Sequence, residues 1–121
     1  MTMEECYRKL GGDYSEVLGR MMNESFIRKF IRKFLEDDSF ALLEDAMQKG
    51  DCKEAFRGAH TLKGVCQNLG FGTLAASASC LTEILRPLPD SIPEEAGAAM
   101  KKVREDYQKT TEIIRTFLEE A

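Results

Sequence analysis

Between Cys52 and Leu69 the apolar residues Cys52, Ala55, Ala59, Leu62, Cys66 and Leu69 alternate steps of three and four. That spacing draws one stripe along an α-helix and matches no face of a β-strand, so the segment must pack as a helix against other helices. The same rhythm returns through Ala96, Ala99, Val103, Tyr107, Thr110, Ile114 and Phe117. No stretch elsewhere sustains the polar–apolar alternation of a half-buried strand. The chain is therefore expected to be all-α.

Start and stop signals divide the remaining helices. Gly11 and Gly12 break the chain, and Asp13 with Glu16 reads as an N-cap and its reciprocal partner. Val17, Leu18, Met21 and Met22 give the next helix its stripe, continued by Ile27, Phe30, Ile31 and Phe34 after a kink between Asn23 and Ser25. Arg28, Lys29, Arg32 and Lys33 fall on the opposite side, read as a solvated face with partner selection as the alternative. Asp38 or Ser39 caps a helix carrying Phe40, Leu43 and Met47 that ends near Gly50. Asp51 caps the striped helix, and Gly70 suits the position just past its end. Thr73 opens another helix, with Leu74, Ala78, Leu81 and Leu85 facing inward. Pro87, Pro89 and Pro93 interrupt it, and Ser91 with Glu94 forms a capping signature for the last helix. The expected architecture is an antiparallel four-helix bundle with short accessory N-terminal helices, residues 1–121 forming one domain.

Composition narrows the function classes. Hydrophobic residues at 43% and charged residues at 31% are ordinary for a soluble globular protein. A net charge of −4 argues against nucleic acid as a partner. No run approaches the roughly 18 apolar residues of a membrane helix. The opening MTMEECYRKL lacks the basic-then-apolar order of a secretory signal, so the expected location is the cytoplasm. Cys6, Cys52, Cys66 and Cys80 include no C-x-x-C pair and have one histidine to join them. They are read as buried small hydrophobes, with neither disulfide nor metal expected.

That histidine, His60, lies within the striped helix in the run H-T-L-K-G. At about 100° per residue, His60, Lys63, Gly64 and Gln67 share one face, and the core stripe is centred roughly 130° away. His60 is thus expected on an exposed shoulder. A glycine inside a helix costs about 1 kcal/mol relative to alanine. Close packing accounts for Gly58, which falls nearer the core, but not for the outward Gly64. Gly64 instead clears space over the imidazole, and Lys63 sets an ammonium where an anion on His60 would sit. Gln67 is placed to donate an amide hydrogen bond to such an anion. An exposed neutral imidazole is a competent nucleophile, and phosphoryl transfer asks chiefly for in-line access and charge neutralisation.

Other chemistries fit less well. A thiol enzyme pairing Cys66 with His60 is disfavoured, because six residues apart the two side chains diverge by about 120°. The Glu-x-x-His pairs of a bundle metal site are absent. Nothing matches G-x-x-x-x-G-K-[ST] or another glycine-rich nucleotide loop, so no kinase is expected and the phosphoryl group must arrive from elsewhere.

The stretch from Ala59 to Gly70, H-T-L-K-G with a trailing L-G, resembles the motif of the histidine-containing phosphotransfer (HPt) domain family. The similarity runs back through LEDAMQKGDCKEAFRGAHTLKG and includes the opening segment YRKLGGDYSEVL, covering most of the first 86 residues. The last helix matches in placement more than in motif. The resemblance implies that His60 is the phosphoacceptor through Nε2, assisted by Lys63 and Gly64. It implies a phosphoryl shuttle in a multistep two-component phosphorelay, with no cofactor. The implied partners are receiver domains of response regulators or hybrid histidine kinases, met by a monomer through an apolar patch beside the histidine. Val17, Met21 and Met22 are candidates for that patch, with simple core packing as the alternative for each of them. Family members often carry Gln or Glu on the following helix to orient the imidazole; here the matching position is Thr82, with Glu83 adjacent. Thr82 is shorter, so that contact is missing, water-mediated or supplied by another residue. Arg86, one turn on, is read as a surface cation near a helix C-terminus, within approach of the phosphoryl group. The alternative function is an HPt-like interaction scaffold whose histidine is never phosphorylated; the intact His60, Lys63 and Gly64 count against it.

Overall fold

A computed structural model describes residues 1–120. The described residues form helices α1 (Met3–Lys9), α2 (Tyr14–Met21), α3 (Glu24–Phe34), α4 (Ser39–Lys49), α5 (Cys52–Leu69), α6 (Gly72–Leu85) and α7 (Glu94–Glu119), with no strand among them. Helices α4 to α7 form an antiparallel up-and-down bundle in which α4 packs on α5, α5 on α6 and α6 on α7. The ring closes between α4 and α7. There Phe40 stacks on Tyr107 with centroids 4.0 Å apart, and Arg104 donates to Glu44 at 2.7 Å. Short turns enforce the alternation. After α5 the chain reverses at Gly70, whose φ of 78° is the left-handed conformation that ends a helix most readily without a Cβ. The Phe71 amide then donates to the Cys66 carbonyl at 2.9 Å, satisfying an acceptor in the last turn of α5.

The accessory helices cover one end and side of the bundle. Helix α1 packs on α2 and α7, and α3 bridges α5 and α7. The buried Tyr7 hydroxyl donates to the Leu69 carbonyl at 2.7 Å, tying α1 to the end of α5. The kink expected between Asn23 and Ser25 is a complete break. Met22 adopts φ 64° at the end of α2, and Asn23 Oδ1 accepts from the Ser25 and Phe26 amides to start α3. An asparagine offers the emerging N–H groups a better partner than continued helix.

Three further local readings change. Ser91 and Glu94 do not cap α7: Pro93 occupies the N-cap, and its carbonyl accepts from Ala96 and Gly97. A cap at Ser91 would need Ile92 helical, which the following proline disfavours. Before α4 the capping bond comes from Asp37, whose Oδ1 accepts from the Ser39 amide at 2.8 Å, while Asp38 makes none. On α7 the buried row includes Met100 and Asp106, whereas Ala99 and Tyr107 are half-buried. Asp106 Oδ1 accepts from Lys102 at 2.9 Å, and its Oδ2 is buried without a partner among the described residues.

Cys6, Cys52 and Cys66 are buried as expected, but Cys80 is exposed. It lies on the solvent side of α6, off the inward row Leu74, Ala78, Leu81 and Leu85. Burial pushes the Cys6 thiol up to about 11 and the Cys66 thiol to about 12. At pH 8, Cys80 is therefore expected to react at once with a disulfide reagent, and Cys6 and Cys66 only after unfolding. Rapid titration of all four thiols in the native protein would contradict this packing. No helix among the described residues is long and apolar enough to cross a membrane.

Candidate functional site

All six stripe residues of α5 are buried, which turns the opposite side of the helix to solvent. His60 is exposed there, with Gln67 exposed on the same face and Lys63 and Gly64 half-buried. The two interior glycines of α5 have opposite surroundings. A Cβ built on Gly58 would stand 3.0 Å from the Leu43 Cα and 3.1 Å from its Cβ, so Gly58 lets α4 approach. A Cβ on Gly64 would meet nothing within 4 Å. Gly58→Val is accordingly expected to cost about 1–3 kcal/mol through overpacking. Gly64→Ala should gain up to about 1 kcal/mol of helix stability. Urea denaturation of both variants checks the contrast, and equal destabilisation would contradict it.

The imidazole has defined neighbours. Phe56, one turn earlier, lies nearly parallel to it, with ring centroids 6.0 Å apart and planes inclined by 9°. The Arg86 guanidinium sits over the Phe56 ring, 5.3 Å from its centroid. Glu83 holds that guanidinium with a shortest contact of 2.6 Å. Because α5 and α6 are antiparallel about Gly70 and Phe71, His60 lies level with Leu81 and Phe56 with Leu85, which brings Glu83 and Arg86 within a turn of the His60–Phe56 pair. The hydrogen bond from Arg86 holds the Glu83 carboxyl below the usual carboxylate range, with Lys63 and His60 adding to the effect. Lys63 joins none of the ion pairs of α5 and α6 among the described residues.

Thr82 does not contribute to this cluster. It is buried, and its hydroxyl donates to the Ala78 carbonyl at 2.7 Å, which satisfies the group within its own helix. The carboxylate beside the histidine is that of Glu83. Phe56 lies outside the sequence motif, although an aromatic four residues before a histidine on one helix is a neighbour by spacing.

A groove of about 400 Å³ opens between α2, α3 and α5, its α5 wall running from Val65 to Leu69 beyond His60. Met21, Phe30, Val65 and Leu69 give it apolar walls, and its charged lining is mixed, with Arg20 (paired with Glu16), Lys33 and Asp37. Of the patch residues read from sequence, Met21 lines the groove and Met22 is 84% exposed. Val17 is fully buried beside Gly70 and belongs to the core, because its row on α2 faces the α5–α6 turn. No cluster among the described residues groups three or more His, Cys, Asp or Glu side chains as metal ligands.

The family model for the Hpt domain matches residues 29–111, well over half of the chain, and the matched span contains the whole of α4 to α6 and the H-T-L-K-G run. The chain belongs to the Hpt domain family. Searches of curated proteins and of solved structures give no match.

Proposed function

We propose that this chain, as a single domain, accepts a phosphoryl group on His60 from the aspartyl phosphate of one receiver domain and returns it to another, within a multistep two-component phosphorelay. The observation that carries this reading is the open space over Gly64 beside an exposed imidazole, on a rigid helix that also presents Lys63. In the forward step the lone pair of His60 Nε2 forms the N–P bond in line with the breaking P–O bond, whose electron pair leaves on the receiver's carboxylate. Nδ1 keeps its proton. Lys63 neutralises charge on the transferred oxygens, and Gln67 adds an amide donor on the same face. The return step reverses each of these, so the chain is a carrier and needs no nucleotide site of its own.

The groove between α2, α3 and α5 supports a receiver docking there. Met22 keeps its apolar side chain in solvent from a left-handed backbone conformation, at a cost of about 1 kcal/mol that a glycine would avoid. Phe26 and Phe30 extend this apolar strip along the exposed side of α3. The protein is read as meeting its receivers as a monomer.

The test is incubation with a panel of phosphorylated receiver domains. Acid-labile, base-stable label on this chain is the expected result. No label from any receiver, with the protein demonstrably folded, would favour the scaffold reading instead.

A further inference from the structure

We infer that Glu83 is a releasable clamp on Arg86: it holds the guanidinium over Phe56 while His60 is bare and yields it to the phosphoryl group once His60 is charged. The inference rests on the reading of His60 as the phosphoacceptor.

Arg86 makes three hydrogen bonds to the Glu83 carboxylate, two from Nε at 3.0 and 3.1 Å and one from Nη2 at 2.6 Å. The pair sits at the end of α6 with both side chains about half exposed, free to exchange partners without disturbing the core. Phe56 connects the pair to the site. Its ring carries the guanidinium at 5.3 Å and lies parallel to the imidazole at 6.0 Å, so Arg86 waits one aromatic ring from the acceptor.

Phosphorylation reverses the local balance of charge. The imidazole becomes the bearer of a phosphoryl group with up to two negative charges and three strong acceptors. Glu83, stabilised as the carboxylate first by its hydrogen bond from Arg86 and further by Lys63, then faces a like charge. The guanidinium gains a second acceptor that its planar fork fits as well as a carboxylate. The exchange moves an ion pair only; no covalent bond or proton is involved. Arg86 thereby becomes a positioning and stabilising residue of the phosphorylated state, and Glu83 opposes that state twice, by repulsion and by retaining Arg86. The phosphoryl-transfer potential of the domain is set by their competition.

The experiment measures the equilibrium ratio of phosphorylated chain to phosphorylated receiver, with one receiver domain that labels the wild type. Glu83→Gln is expected to shift the ratio toward the chain by about threefold, and Arg86→Ala away from it by about threefold, magnitudes typical of one exposed charge interaction. Arg86→Lys should restore only part of the loss. In the Arg86→Ala background Glu83→Gln should have a clearly smaller effect, and 1 M salt should compress all the differences. An unchanged ratio in Arg86→Ala, or an equal effect of Glu83→Gln with and without Arg86, overturns the clamp while wild-type labelling still upholds phosphotransfer. A wild type that no receiver labels removes the reading beneath it.

Discussion

His60→Gln is expected to lose phosphoryl uptake completely while unfolding within about 0.5 kcal/mol of wild type, the range of surface substitutions away from structural features. Three facts make the separation clean. The side chain is exposed, so no cavity opens when it changes. Among the described residues its one ring contact is the stack on Phe56, an i,i+4 pair on a helix surface that contributes a few tenths of a kcal/mol. His60 is the only histidine of the chain, so no second imidazole can take over. Paired label-transfer and thermal-melting measurements check both halves. Full labelling of the variant would place the phosphate on another residue and sink the site assignment.

Gly64→Gln should move activity and stability in opposite directions. The open volume over Gly64 admits a side chain without strain, and replacing a mid-helix glycine with a good helix former should gain roughly 0.7–1 kcal/mol. The same side chain would occupy the approach to His60 one turn away. Reacting atoms must come within about 3–3.5 Å in line, and a misplacement near 1 Å can cost on the order of 100-fold. A transfer rate at least tenfold lower, with a higher urea midpoint, is therefore expected. A general folding defect cannot produce that combination. An unchanged rate would show that receivers reach His60 from another direction.

Much of this was legible in the sequence for a physical reason. The α5 stripe is regular, so the helix, its buried row and the exposed shoulder of His60 follow from one period, and the structure buries all six stripe residues. The distinction between Gly58 and Gly64 is legible in the same way, since angle around a helix decides which of them meets a neighbour. What failed depended on tertiary placement or on competition between local signals. Ser91 and Glu94 satisfy a capping pattern, but Pro93 between them biases Ile92 away from helix. Val17 and Met22 sit in one sequence stripe, yet the first is buried beside Gly70 and the second projects from a left-handed residue past the helix end.

Asp106 was missed because a carboxylate in a buried row breaks the apolar pattern that marks the row; only its position three after Val103 and four before Thr110 hints at it. The Glu83–Arg86 pair was visible as neighbouring charges. Its relation to His60 was not, because that depends on the register between α5 and α6, which the turn at Gly70 and Phe71 sets.

The most direct test uses the chain's single imidazole. With the histidine labelled in nitrogen-15, the side-chain spectrum contains two nitrogens, and phosphorus coupling reports a bond to either of them. After incubation with a phosphorylated receiver, coupling to Nε2 of His60 is expected, disappearing as a second, unphosphorylated receiver is added. An imidazole spectrum that stays unchanged while the receiver's phosphate moves onto the chain would contradict the account at its centre.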